Sequence, residues 1–232
     1  MRNLGWSIAS CLLLIPLVTS CGGGGGDGSR LSDVNQDGTI HVLAFGDSIT
    51  RGVGDGPEET SEPSLGSAGY PARLELTSGV LVTNGGQPGE ETERGVQRLP
   101  SLLAGLVPRA DHVILLEGAN DLLNGVDPAT VVNNLRTLAS QTMEAGAEPF
   151  FATLTPICCD HAHVVPTATV NDLNQRILAA GQQSGIFVID FFAALDGAMF
   201  TPASGLLHSP EGLHPTPAGY DRMAAFAADA LG

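Results

Sequence analysis

The stretch IHVLAFGDSIT, residues 40–50, sets the frame for the rest of the chain. Residues 40–45 form a mostly apolar run too short for a buried helix and stopped by Gly46. A strand covered on both faces reads this way. Residues 46–50 then place Asp47, Ser48 and Thr50 beyond the strand's carboxyl end. The same grammar recurs downstream. Strand-like runs are expected at 80–83, 112–116, 149–154 and 186–190, each rich in Val, Ile, Leu or Phe. Between them the apolar spacing turns helical. Residues 130–145 put Val131, Leu135, Leu138 and Thr142 on one face, after a start signal at Asp127-Pro128 and before a stop at Gly146. Residues 169–182 do the same with Leu173, Ile177 and Leu178, and residues 217–231 with Met223, Phe226, Ala227 and Ala230. Strands alternating with helices predict an α/β protein, a parallel sheet with helices on both faces.

Composition narrows the function classes. The chain has 232 residues, 10 Lys+Arg against 25 Asp+Glu, and a formal charge of −15, with every base an Arg. That balance repels phosphate and excludes a nucleic-acid binder, whose affinity depends on basic residues. With 43% hydrophobic and 15% charged residues it is not a disordered acidic tail either.

The amino terminus reads as an address. Arg2 precedes an apolar run over residues 8–18 that is too short to span a bilayer and suits the core of a signal peptide. Val18, Thr19 and Ser20 before Cys21 resemble a bacterial lipobox, which implies lipidation of Cys21; an ordinary secretory signal cut near Ser20 is the alternative. Gly22 to Gly26 suit a flexible spacer between an anchor and a domain. The expected organisation is a signal peptide over 1–20, a lipidated Cys and Gly-rich linker over 21–38, and one domain over 39–232. The expected location is the bacterial cell envelope, with the membrane engaged through the N-terminal lipid. Only Cys158 and Cys159 remain in the domain, so no disulfide framework holds it.

In parallel sheets, sites form beyond the carboxyl ends of the strands. Four segments stand there or before the last helix: residues 46–50, 84–89 (NGGQPG), 117–121 (EGAND) and 211–215 (EGLHP). Together they hold what ester hydrolysis needs, a nucleophile, a base and oxyanion donors. Ser48 suits the nucleophile. His214 suits the base, because imidazole takes and returns a proton near neutral pH. Glu211, three residues earlier, is placed to orient the ring. The Ser48 N–H, the Gly86 N–H and the Asn120 side-chain amide are the expected oxyanion hole.

At these residues the chain resembles the SGNH hydrolases, the GDSL-like lipase/esterase family, through Ser48 in GDSIT, Gly86 in NGGQPG, Asn120 in GAND and His214 in GLHP. The resemblance implies a flavodoxin-like three-layer α/β/α sandwich with a five-stranded parallel sheet. It also implies serine esterase activity with no metal and no organic cofactor. The family usually has Asp where this chain has Glu211, and Ser-His-Glu sets occur on other hydrolase folds. A classical α/β-hydrolase is disfavoured, since its G-x-S-x-G elbow would need Gly where Thr50 stands. The leading function is therefore an exported serine esterase acting on a small-molecule, lipid or glycan ester. A carbohydrate O-acetyl esterase is the alternative, and a glycan- or partner-binding lipoprotein domain the non-enzyme one.

Two other clusters invite metal readings. Asp33, Asn35, Asp37 and Gly38 match the opening of an EF-hand loop, but position 12 is Ala44 and not Glu, so a polar turn is expected. Residues 158–163 crowd two Cys, an Asp and two His, closer together than the ligands of structural zinc sites. A substrate loop with a thiol pair or vicinal disulfide is expected there.

Overall fold

The computed structural model describes residues 29–56, 68–158, 165–197 and 204–232. The expected signal peptide, Cys21, its glycine spacer and residues 159–163 of the Cys/His cluster lie outside the described residues, as does most of the 52–69 loop.

Strands β1 (His41–Gly46), β2 (Leu81–Gly86), β3 (His112–Leu116), β4 (Glu148–Ala152) and β5 (Val188–Ile189) form one sheet in the order β2-β1-β3-β4-β5. All four pairings are parallel. β1 and β3 are buried along their whole length, as expected of central strands covered on both faces. On one face α2 (Gly69–Ser78) packs against α8 (Pro217–Leu231). On the other, α3 (Thr92–Gly105), α5 (Pro128–Glu144) and α6 (Thr167–Ser184) pack side by side. Short helices α1 (Ser48–Arg51), α4 (Ala119–Leu123) and α7 (Phe191–Ala194) follow β1, β3 and β5 directly. This is the flavodoxin-like order. Its chain runs one way from β1 to β2 and the other way from β1 to β3, which opens a crevice beyond the carboxyl ends of β1 and β3.

The helix faces hold for α5, where Val131, Leu135, Leu138 and Thr142 are all buried. They slip in two places. Leu178 and Phe226 are exposed at 42% and 37%, and Ala224 takes the inward position on α8. Each exposed residue adjoins a buried one in sequence, Leu178 after Ile177 and Phe226 before Ala227, at the edge of the apolar stripe where the helix turns to solvent.

The domain also starts earlier than position 39. The Arg30 N–H donates to the Leu231 carbonyl and Leu31 is buried. The Ser32 N–H meets His112 Nε2 at 3.0 Å. Both oxygens of buried Asp111 are taken by the N–H groups of Asn35 and His41. Residues 29–38 are thus part of the fold, docked under the amino ends of the strands. In the EF-hand-like loop, Asp33 accepts the Asp37 and Gly38 N–H groups, and Asp37 accepts that of Thr39. Those carboxylates close the turn themselves.

Candidate active site

Ser48 is the first residue of α1, immediately beyond β1. Asp47 caps that helix by accepting the Ile49 N–H at 2.8 Å. The cap turns the chain so sharply that the Ser48 side chain stands over the crevice and not in the core. His214 arrives from the other end of the sequence. Its loop is pinned by the His208 N–H donating to the His214 carbonyl, by the Leu207–Pro215 bridge and by a 2.7 Å contact from His208 Nε2 to the Gly54 carbonyl. The last contact ties the histidine's loop to the turn that follows Ser48.

The result is a relay. Ser48 Oγ lies 2.9 Å from His214 Nε2, and His214 Nδ1 lies 2.6 Å from Glu211 Oε1. The other Glu211 oxygen accepts the N–H groups of Leu213 and His214. Burial alone would raise the Glu211 carboxyl, but the bonds from His214 and these backbone donors hold it below the usual carboxylate range. Asp47 goes the other way. Burial, with Asp121 and Glu90 nearby, pushes its carboxyl up to about 7 against the opposing pull of the Ile49 N–H and His214.

Asn120 is the second residue of α4, beyond β3. Its Nδ2 donates to the Glu90 carbonyl at 2.9 Å, and its second contact, to Asp47 Oδ2, is a long 3.4 Å. One amide hydrogen is therefore fixed and the other only weakly held, available to a developing oxyanion. Asp121 beside it accepts from both the N–H and the hydroxyl of Thr92, which locks α4 to the start of α3. The Ser48 N–H has no partner among the described residues.

Gly86 departs from its expected role. Its N–H donates to Asn84 Oδ1 at 2.9 Å, so it is committed inside the protein. What Gly86 supplies is closeness: a Cβ there would lie 2.2 Å from the Arg51 backbone nitrogen and 2.8 Å from the Asp47 carbonyl. Gly89, three residues on, is different. It has φ +74°, nothing within 4 Å of a Cβ position, and an N–H without a partner among the described residues. The Pro88-Gly89 pair is the signature of a type II turn, closed here by the Glu90 N–H on the Gln87 carbonyl at 3.1 Å. That dipeptide was the available signal, in the same NGGQPG run.

Two buried acids and a half-buried Arg complete the floor. Glu90, Arg98 and Glu117 are packed beneath Asn120 and Asp47, with Arg98 Nε donating to Glu90 and Arg98 Nη2 to the Gly85 carbonyl. Cys158 is disulfide-bonded, and its N–H donates to the Gly212 carbonyl between Glu211 and His214.

The crevice thus holds a Ser-His-Glu relay at the switch point of a parallel sheet, the arrangement of a serine hydrolase. The family profile for the GDSL-like Lipase/Acylhydrolase family matches residues 44–222, and the chain belongs to that family. Among curated proteins it is 39% identical over 107 residues to an arylesterase of Vibrio mimicus, covering 46% of this chain and 50% of the relative. It is 32% identical over 110 residues to thioesterase 1/protease 1/lysophospholipase L1 of Escherichia coli K12, covering 47% and 48%. The match thus spans about half the length of these relatives. Among solved structures, a lipolytic G-D-S-L family protein of Veillonella parvula superposes with a TM-score of 0.65 at 25% identity, covering 82% of this chain and 96% of that one.

Proposed function

We propose that this protein is an exported, lipid-anchored serine esterase that cleaves carboxylic esters through an acyl-enzyme on Ser48. The observation that carries the reading is the unbroken relay from Ser48 Oγ through His214 to Glu211, at 2.9 and 2.6 Å. Ser48 Oγ attacks the ester carbonyl carbon while His214 Nε2 takes its proton. Glu211 holds the proton on Nδ1 and stabilises the imidazolium. The carbonyl oxygen, now an oxyanion, is met by the Ser48 N–H, the weakly held Asn120 amide hydrogen and the Gly89 N–H. His214 then returns the proton to the departing alkoxide. Water, deprotonated by the same nitrogen, releases the acid and frees Ser48. Family membership and the arylesterase relative support an ester substrate.

Hydrolysis of nitrophenyl esters from acetate to long acyl chains, wild type against Ser48→Ala, tests the reading. Activity lost in the variant is the expected result, and the chain-length optimum separates an acetyl-sized pocket from a lipid-sized one. Equal rates in both proteins sink the mechanism. Envelope location follows from the lipobox-like residues 18–21 and is tested by membrane fractionation of Cys21→Ser, which should release the protein.

A further inference from the structure

Glu117 immediately follows β3 and is fully buried, yet among the described residues neither carboxyl oxygen has a hydrogen-bond donor. A buried carboxylate without donors is too costly to persist. Among the described residues the cation facing it is Arg98, from α3. Arg98 is already occupied: Nε and Nη2 both grip the Glu90 carboxylate, and Nη2 also donates to the Gly85 carbonyl. The other charged groups facing Glu117 are acidic, Glu90 from the turn after β2 and Asp47 from the turn after β1. Asp121 of α4 and His214 face Asp47 in turn.

Two carboxylates are both acceptors, so contact between Glu117 and Glu90 is a bond only if one carries a proton. Glu90 already takes both Nε and Nη2 of Arg98, whereas Glu117 has no donor of its own. We propose that Glu117 is a positioning residue of the oxyanion hole, a neutral carboxylic acid that donates its proton to Glu90. This fixes the turn whose Glu90 carbonyl orients Asn120 at 2.9 Å. The proposal rests on the esterase reading. Burial first, then Glu90 and Asp47, drive the Glu117 carboxyl well above its ordinary range, in agreement with the geometry. Gly95 of α3 packs directly on the carboxyl group: a Cβ there would lie 2.3 Å from Glu117 Oε2.

The test compares the full chain with Glu117→Gln, which keeps a neutral donor, and Glu117→Leu, which keeps only bulk. The infrared difference between wild type and Glu117→Gln at pH 8 should show the carbonyl stretch of a protonated carboxylic acid, present only in wild type. On nitrophenyl acetate, Glu117→Gln should keep kcat within a few-fold, and Glu117→Leu should lower kcat on the order of 10²-fold with KM little changed, the cost of a misplaced catalytic group. The Asn120 side-chain amide resonance should move in Glu117→Leu and stay in Glu117→Gln. An absent carboxylic-acid band overturns the proposal, as does an unaltered kcat in Glu117→Leu or equal damage in both variants. If Glu117→Leu does not fold, the band and the kcat of Glu117→Gln decide. An inactive wild type would instead sink the esterase reading, and the band and amide resonance would still judge Glu117.

Discussion

Glu211 meets His214 Nδ1 at 2.6 Å with one oxygen while its other oxygen takes the N–H groups of Leu213 and His214. The longer side chain therefore reaches the ring by folding back over its own loop, and both ends of the carboxylate are used. Glu211→Asp loses this double reach and should lower kcat by roughly 10- to 100-fold, since a misplacement of about 1 Å costs this much. Glu211→Gln should lose more, on the order of 10⁴, because the amide no longer enforces the productive tautomer. Steady-state kinetics on one nitrophenyl ester checks both, and an Asp variant as fast as wild type would refute the geometry.

Asn120→Ala removes the weakly held amide hydrogen that faces the crevice. Loss of one oxyanion donor costs about 2.7–4 kcal/mol, so kcat should fall about 10²- to 10³-fold with KM nearly unchanged. A change confined to KM would place Asn120 in substrate binding.

Gly86→Ala and Gly89→Ala should separate packing from chemistry. The first drives a methyl into the Arg51 backbone at 2.2 Å and should prevent folding. The second has open space but a positive φ, and should fold with a loss of about 1–2 kcal/mol while kcat drops through the displaced N–H. Thermal melts and kinetics on both variants distinguish these outcomes from the reverse assignment.

Asp47 predicts a pH-dependent stability. Its carboxyl is raised from 3.8 to about 7 on folding, chiefly by burial. Below about 4 it is protonated in both states. Between about 4 and 7 the unfolded chain ionises and the folded one does not, so stability falls as pH rises through this window and levels off above it. Asp47→Asn preserves the helix cap and should make that decline shallower, leaving the share that the raised Glu117 and Asp121 carboxyls contribute. Urea midpoints from pH 4 to 8 measure it, and parallel profiles would show that Asp47 ionises normally.

Beginning the chain at residue 39 instead of 29 should destabilise it, because Leu31 leaves the core and Asp111 loses the Asn35 N–H. A loss of about 2–4 kcal/mol is expected from one buried Leu and orphaned polar partners. Equal melting temperatures would mean the segment contributes nothing.

The strands of the sheet and the three long helices after β3 were legible because each carries its own periodicity. α2 and α3 were not read, since glycine and proline punctuate them: Gly69 and Pro71 open one, and Pro100 sits inside the other. Ser48, Asn120 and His214 stood out because their types and order carry chemistry. Glu90, Arg98 and Glu117 did not, because a charged residue in a sequence reads as solvated surface until its burial is known.

Residue order alone marked out the parallel sheet, the location of the candidate site at strand ends, and Ser48 and His214 as candidate nucleophile and base. These depend on local pattern and on the chemical type of single side chains. Tertiary structure alone decided that the Gly86 N–H is committed to Asn84, how Glu211 spans both His214 Nδ1 and the backbone, and that residues 29–38 dock on the sheet. The Arg30–Leu231 bond and the 2.9 Å contact of Ser48 with His214 join segments far apart in the chain and exist only once the sheet has brought them together, while the short-range contacts of Gly86 and Glu211 depend on loop conformations that residue types alone do not fix.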